Sequence, residues 1–300
     1  MLLKTFIAFI LFSLNSHGIV NGKKANTEEL YEFESVAYIK INKDRGYDTY
    51  LGECTGVLIS PNLVLTAAHC FLKTKTSKAQ ATPYHIDQSG QCIPGQKITV
   101  TQSIVELPIQ LEEDISVRVK YKKKKKKKNG YKLKSKTRKV KKVILHPRIY
   151  SHYQTGLIKS YFPFDLALLE LKEPINISRY PLIQTDLDYG QYNINIAGYG
   201  FTKLEDKINN SDRLYFARRT TSYNPFSEMI EYFVTPESPQ VYKADSGSAL
   251  FTDKMEIIGI TQSVTRKIKC ERRNSFVNLN SNYSTEFFNH LNSLGYSVNY

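Results

Sequence analysis

Short β-prone runs separated by turn residues recur along almost the whole chain, and this rhythm most limits the folds open to it. They lie at Ser35 to Ile41, Gly56 to Leu65, Lys97 to Val105, Ile115 to Val119, Val140 to Leu145 and Ala167 to Leu171. Beyond Pro181 they continue at Asn193 to Gly198, Arg213 to Thr220, Ile230 to Val234, Ser248 to Phe251, Ile257 to Thr261 and Ser275 to Leu279. Many short strands at irregular intervals, with no repeat of fixed period, predict an all-β protein of closed antiparallel sheets. Helical spacing occurs only near the C-terminus. There Phe287, Phe288, Leu291 and Leu294 share a face between about Ser284 and Leu294, and Ser284 stands where a cap belongs. The polar, turn-rich stretch Lys73 to Gln96 is expected to be loop.

The net charge of +14 would suit a nucleic-acid binder if it were spread over the fold, but it is not. Of the 42 Lys and Arg residues, 16 lie between Arg118 and Lys142 with no Asp or Glu among them; the other 26 face 28 acidic residues. The basicity is therefore one local insertion, residues 118–142. Its lysine run, Lys122 to Lys128, followed by the turn pair Asn129-Gly130, predicts an exaggerated hairpin with a solvated, mobile tip. The simplest account is a disordered insertion. The sharper one is a patch for polyanions such as lipopolysaccharide, anionic lipid or nucleic acid, with binding that collapses in salt. Only Tyr121 and Tyr131 interleave with the lysines, so specific nucleic-acid recognition is not expected.

Residues 1–18 have the make-up of a signal peptide. Lys4 gives the positive end, Thr5 to Leu14 the apolar core, and Ser16-His17-Gly18 the small-x-small cleavage site. The apolar run is too short to span a bilayer, and no later segment approaches ~20 apolar residues. Export is the expectation, with the protein secreted into an oxidising space. Cleavage after Gly18 would make Ile19-Val20-Asn21-Gly22 the new amino terminus. The four cysteines show no C-x-x-C or Cys/His zinc spacing, so neither a metal nor a cofactor is expected.

Three segments carry groups with chemistry to offer. Leu65-Thr66-Ala67-Ala68-His69-Cys70 puts a histidine straight after a buried apolar run. A bridge from Cys70 to Cys54 would close a short loop and fix the turn carrying His69, and a general base needs that fixity. Asp165 heads the apolar run Leu166 to Leu171, where a carboxylate is costly to bury unless hydrogen-bonded, and a histidine Nδ1–H is a suitable donor. Ser246 lies in the small-residue turn Ala244-Asp245-Ser246-Gly247-Ser248, a setting that can aim backbone N–H groups at an acyl-transfer site.

In the order His69, Asp165, Ser246, these segments resemble the chymotrypsin/trypsin family of serine endopeptidases. The matching strings are Ile19-Val20-Asn21-Gly22, Cys54-Thr55-Gly56-Val57-Leu58-Ile59, Leu65 to Cys70, Asp165-Leu166-Ala167-Leu168-Leu169, Ala197-Gly198-Tyr199-Gly200-Phe201-Thr202 and Asp245-Ser246-Gly247. An α/β-hydrolase would need G-x-S-x-G and the order Ser, acid, His; Ala244 and Ser248 stand where those glycines belong. The resemblance implies two antiparallel six-stranded β-barrels, about Ile19 to Ile158 and Lys159 to Tyr300, with a C-terminal helix and the site between the barrels. It implies polypeptide substrates, a monomer, and a Cys54–Cys70 bridge. Ser246 would be the nucleophile, His69 the base, Asp165 its orienting partner and the N–H groups of Ala244 and Ser246 the oxyanion donors. The freed amino group of Ile19 would pair with Asp245, so that signal-peptide removal itself activates the enzyme.

The chain also departs from that pattern. Ala244 replaces a glycine at the first oxyanion donor, where a Cβ opposes the required backbone angle. Gln240 stands where the trypsin branch carries an aspartate, and with Gln262, Val264 and Ser275 it is expected to line a pocket that is not trypsin-like. Cys92 and Cys270 are left to pair with each other or to leave Cys270 free. His85, His146, His152 and His290 are expected as loop or surface residues. Glu112-Glu113-Asp114 is expected as a solvated strand end rather than a calcium site. The alternative function is a catalytically inactive homologue that binds a protein or polyanion through its loops.

Overall fold

Val36-Ala37-Tyr38-Ile39, Val57-Leu58-Ile59 and Val64-Leu65 are apolar runs too short for helices, and each lies in a buried strand. The structure, a computed structural model, describes residues 19–41, 52–81, 84–89, 91–108, 114–124, 131–149, 163–200, 213–235, 238–242, 244–268 and 271–298.

Along the chain come β1 (Lys23–Lys24), helix α1 (Thr27–Glu32), β2 (Val36–Ile41), β3 (Glu53–Ser60) and β4 (Leu63–Thr66). A 3-10 turn (Ala68–Phe71) leads into β5 (Leu72–Ala81), β6 (Tyr84–Ile86), β7 (Cys92–Pro94), β8 (Ile98–Pro108), β9 (Ile115–Lys124), β10 (Tyr131–Leu145) and β11 (Ala167–Leu171). The second half holds β12 (Gly190–Gly198), β13 (Tyr215–Tyr223), β14 (Met229–Val234), β15 (Ala249–Thr252), β16 (Ile257–Ile268), β17 (Glu271–Asn278) and helix α2 (Asn282–Ser293).

Six strands close a barrel in the order β10-β11-β4-β3-β2-β9. The other large sheet runs β1-β13-β12-β15-β16-β17-β14 and curls into a half-barrel of seven strands, so the second body differs from the first in leaving two edges open. Strand β11 still belongs to the closed barrel and β12 to the open sheet, so the chain passes from one to the other between Leu171 and Gly190, while β1 at its start also joins the open sheet. One apolar cluster fills the closed barrel and extends to Phe287 and Leu291 of α2. A second gathers Ile19, Tyr223, Ile230, Tyr232, Val241 and Phe276 inside the open sheet. Side chains of this size each contribute about 1.5–3 kcal/mol on full burial.

Lys73 to Gln96, expected as loop, carries β5, β6 and β7, and β5 pairs antiparallel with β8 as a separate ribbon. The sequence of β5, mostly threonine, serine and lysine, lacks the apolar alternation that announces a strand. Helix α1 was also missed: six residues with none buried show no apolar stripe. Its start is nevertheless marked, because the Asn26 side chain accepts from Glu29 N while the Glu29 carboxylate accepts from Asn26 N, a capping box. The N-cap of α2 is Ser281, three residues before the expected cap Ser284. Among the described residues, no helix is long and apolar enough to cross a membrane.

The hairpin expected from the lysine run has its two arms in β9 and β10, paired from Lys124 with Tyr131 to Ser116 with Lys139. Its tip, with Asn129-Gly130, lies outside the described residues, as do Cys270, His152, Glu112 and Glu113. Cys92 is disulfide-bonded. His146 follows β10 in a loop but is fully buried, which corrects its expected surface position, and His290 sits half-buried on α2. His85 lies on β6.

Candidate active site

Strand β4 delivers its chain directly into the 3-10 turn, so His69 projects from the rim of the closed barrel with its side chain only 20% exposed. The Cys54–Cys70 bridge ties that turn back to β3. Asp165 sits two residues before β11, the neighbour of β4, and is fully buried. Its Oδ2 lies 2.6 Å from His69 Nδ1, and its Oδ1 accepts from the His69 backbone N–H at 2.8 Å. A buried carboxylate is tolerable only with such donors. The contact suits an imidazole whose Nδ1–H donates to the carboxylate, a tautomer in which Nε2 carries a free lone pair.

Ser246 is 2% exposed and comes from the other sheet, on the turn before β15. That turn is pressed onto the closed barrel. The Ser246 carbonyl accepts from Thr55 N at 2.9 Å, and the Cys70 sulfur lies 4.0 Å from the same oxygen. Gly247 has φ of 83°, and a Cβ there would lie 2.0 Å from Thr66 Oγ1, so only glycine lets the turn approach this closely. The serine turn is thus seated against the hairpin that leads to His69.

Ala244 adopts φ of 68°, the left-handed region that costs a residue with a Cβ about 1–2 kcal/mol. The expected opposition between its Cβ and the backbone angle is therefore resolved in favour of the angle. Its carbonyl oxygen accepts from Thr55 Oγ1 at 2.8 Å. Thr55 stands inside a motif the sequence singled out, yet its side chain had no assigned role; its partner is 189 residues away.

Asp245 is fully buried, and that burial pushes its carboxyl up to about 7 against the pull of three backbone donors, Tyr242, Gly200 and Ile19. Tyr242 N and Gly200 N each lie 2.9 Å from its oxygens. A Cβ on Gly200 would fall 2.4 Å from the carboxylate carbon, so the glycine makes room for the acid. Ile19, also fully buried, brings its N–H to this carboxylate.

Of the expected pocket residues, Gln240 and Gln262 are buried, and Gln240 pairs its backbone with Val20. Val264 lies on β16. Ser275 is fully buried but donates its hydroxyl to Glu231 Oε1 at 2.9 Å. Asn274, next to it on β17, donates to Tyr232 Oη at 2.8 Å. Burial drives the Tyr232 hydroxyl well above the usual phenol range. Among the described residues no cluster of His, Cys, Asp and Glu could hold a metal ion.

The family model described as Trypsin matches residues 19–128 and 111–285. No curated protein matches the chain. Similar folds occur in a Glu endopeptidase, with 16% identity, 91% of this chain and 97% of that one covered, and a TM-score of 0.52. Human heparin binding protein gives 16% identity, 93% and 98% coverage and a TM-score of 0.53. Neuropsin, a serine protease of the mouse brain, gives 16% identity, 88% and 96% coverage and 0.50. At these identities the likeness speaks for the fold alone.

Proposed function

The chain belongs to the trypsin family of serine proteases, and from that premise we propose that it is a secreted endopeptidase working through Ser246, His69 and Asp165. The observation that carries this reading is the double contact of Asp165 with His69, 2.6 Å to the ring and 2.8 Å to the main chain. Ser246 Oγ attacks the peptide carbonyl while His69 Nε2 takes its proton; the carbonyl oxygen becomes an anion held by the N–H groups of Ala244 and Ser246. Collapse expels the amine, which receives the proton from His69, and leaves an acyl-enzyme. Water then repeats the sequence and frees the acid.

Removal of residues 1–18 would convert the Ile19 N–H at Asp245 into an ammonium. A buried ion pair is costly to desolvate, so it serves better as a switch for the serine turn than as a source of stability. Gln240 supplies no charge for a Lys or Arg side chain, so cleavage should avoid those residues, and the lysine run is spared self-digestion. A fluorophosphonate probe tests the reading: labelling of wild type but not Ser246→Ala is expected, and no labelling of folded protein starting at Ile19 would refute it. Amino-terminal sequencing of secreted material should return Ile-Val-Asn-Gly, and any other start would overturn the activation route.

A second reading, polyanion binding, is favoured by the β9–β10 register. It gathers the basic residues of both arms into one hairpin, 16 Lys and Arg between Arg118 and Lys142 with no Asp or Glu among them. One structural neighbour is named for heparin binding. Retention on heparin that is lost steeply with salt, and lost when Lys122 to Lys128 are replaced by serine, is the expected result; salt-independent retention would sink it.

A further inference from the structure

Thr55 is fully buried where β3 passes under the serine turn, and it holds that turn at both ends. Its hydroxyl donates to the Ala244 carbonyl at 2.8 Å, and its backbone N–H donates to the Ser246 carbonyl at 2.9 Å. The same hydroxyl accepts from Tyr199 N at 3.2 Å. A hydroxyl has one proton to give, and with a lone pair taken by Tyr199 that proton has a fixed recipient. Thr55 is itself anchored, because its carbonyl accepts from Thr66 Oγ1 at 2.8 Å.

The recipient matters because Ala244 holds a φ that its Cβ disfavours. Rotation about φ changes the angle between the N–H of a residue and its own carbonyl. With the Ala244 carbonyl tied to Thr55, the residue cannot relieve its strain by swinging that carbonyl away. We propose that Thr55 is a positioning residue for the oxyanion site: through the Ala244 carbonyl, its hydroxyl keeps the Ala244 N–H aimed at the developing oxyanion. This rests on the protease reading above. Alanine at 244 and a hydroxyl at 55 form a matched pair, and glycine at 244 would hold positive φ unaided.

The test uses protein starting at Ile19 and the second-order rate of labelling by an alkyl fluorophosphonate, whose phosphoryl oxygen takes the place of the substrate oxyanion. Thr55→Val keeps the shape and removes the donor, and should slow labelling by roughly 10–100-fold, a part of what loss of a whole oxyanion donor costs. Thr55→Ser restores the hydroxyl and should restore most of the rate. In an Ala244→Gly background, Thr55→Val should cost less than about 3-fold, since glycine needs no clamp. That coupling is what a merely structural threonine would not give. If Thr55→Val does not fold, Thr55→Ala, which adds no bulk, carries the same comparison. Equal rates for the hydroxyl-free and serine variants would overturn the proposal, as would an equal penalty in both backgrounds. An unlabelled wild type would instead remove the protease reading, and this one with it.

Discussion

The Asp165 carboxylate meets His69 at two points, the ring Nδ1 at 2.6 Å and the main-chain N–H at 2.8 Å. The main-chain contact fixes the carboxylate against His69, and the ring contact then orients the imidazole and favours the tautomer with its proton on Nδ1. Asp165→Asn keeps the shape but offers an amide N–H to Nδ1, which favours the tautomer that cannot accept the serine proton. On the proposed mechanism kcat should fall by about 10⁴-fold with KM changed only a few-fold. Steady-state kinetics on a cleaved peptide check this, and a loss confined to KM would contradict it.

Ala244→Gly removes the strain of a Cβ at φ 68°. Glycine loses more chain entropy on folding, which offsets part of the gain, so a net stabilisation of about 0.5–1 kcal/mol is expected. The urea midpoint should rise with the m-value unchanged. A lower midpoint would mean that the Ala244 methyl packs to greater effect than its backbone is strained.

Much of this was legible in the sequence because it is local. Apolar runs of strand length marked β2, β3, β4 and β11, and the short strings around His69, Asp165 and Ser246 stood out as units. What escaped has physical reasons. Strand β5, with Lys73-Thr74-Lys75-Thr76-Ser77-Lys78, offers no apolar alternation to read, and α1 announces itself only through Asn26 and Glu29, one capping box without an apolar stripe. The role of Thr55 depends on a partner 189 residues away, which no local pattern encodes. The partners of Ser275 and Asn274 are likewise set by the pairing of β14 with β17, more than 40 residues apart in sequence. Ser275 faces Glu231, and Asn274 reaches Tyr232.

His146 is fully buried and stacked on Phe287 at 5.5 Å, with Nε2–H donating to the Tyr283 carbonyl and Nδ1 accepting from Arg148 N. Burial pushes its pKa down to about 4 from 6.5, against the upward pull of the Tyr283 carbonyl and Glu286. The unfolded chain therefore binds a proton that the folded chain refuses. The stability His146 contributes is complete above pH 6.5 and is lost as the pH falls toward 4, about 3 kcal/mol in all. His146→Gln should flatten that acid limb in urea unfolding measured from pH 4.5 to 7.5. An unchanged slope would show that other groups set it.

Asp245 has the opposite sign in the uncleaved chain, where Ile19 offers it a backbone N–H and no charge. With its pKa raised from 3.8 to about 7, the folded form holds a proton the unfolded form has released, so stability falls as pH rises between those values. The loss reaches about 4 kcal/mol by neutral pH, and between pH 4 and 6.5 it works against the gain from His146. A freed Ile19 amino group, charged below about pH 8, would favour the carboxylate and remove the loss. Protein starting at Gly18 should therefore show a nearly flat profile over pH 4.5–6.5, while protein starting at Ile19 climbs with pH. Urea unfolding of the two at pH 4.5 and 7 makes the comparison, and parallel profiles would mean that the Ile19 amino group does not reach Asp245.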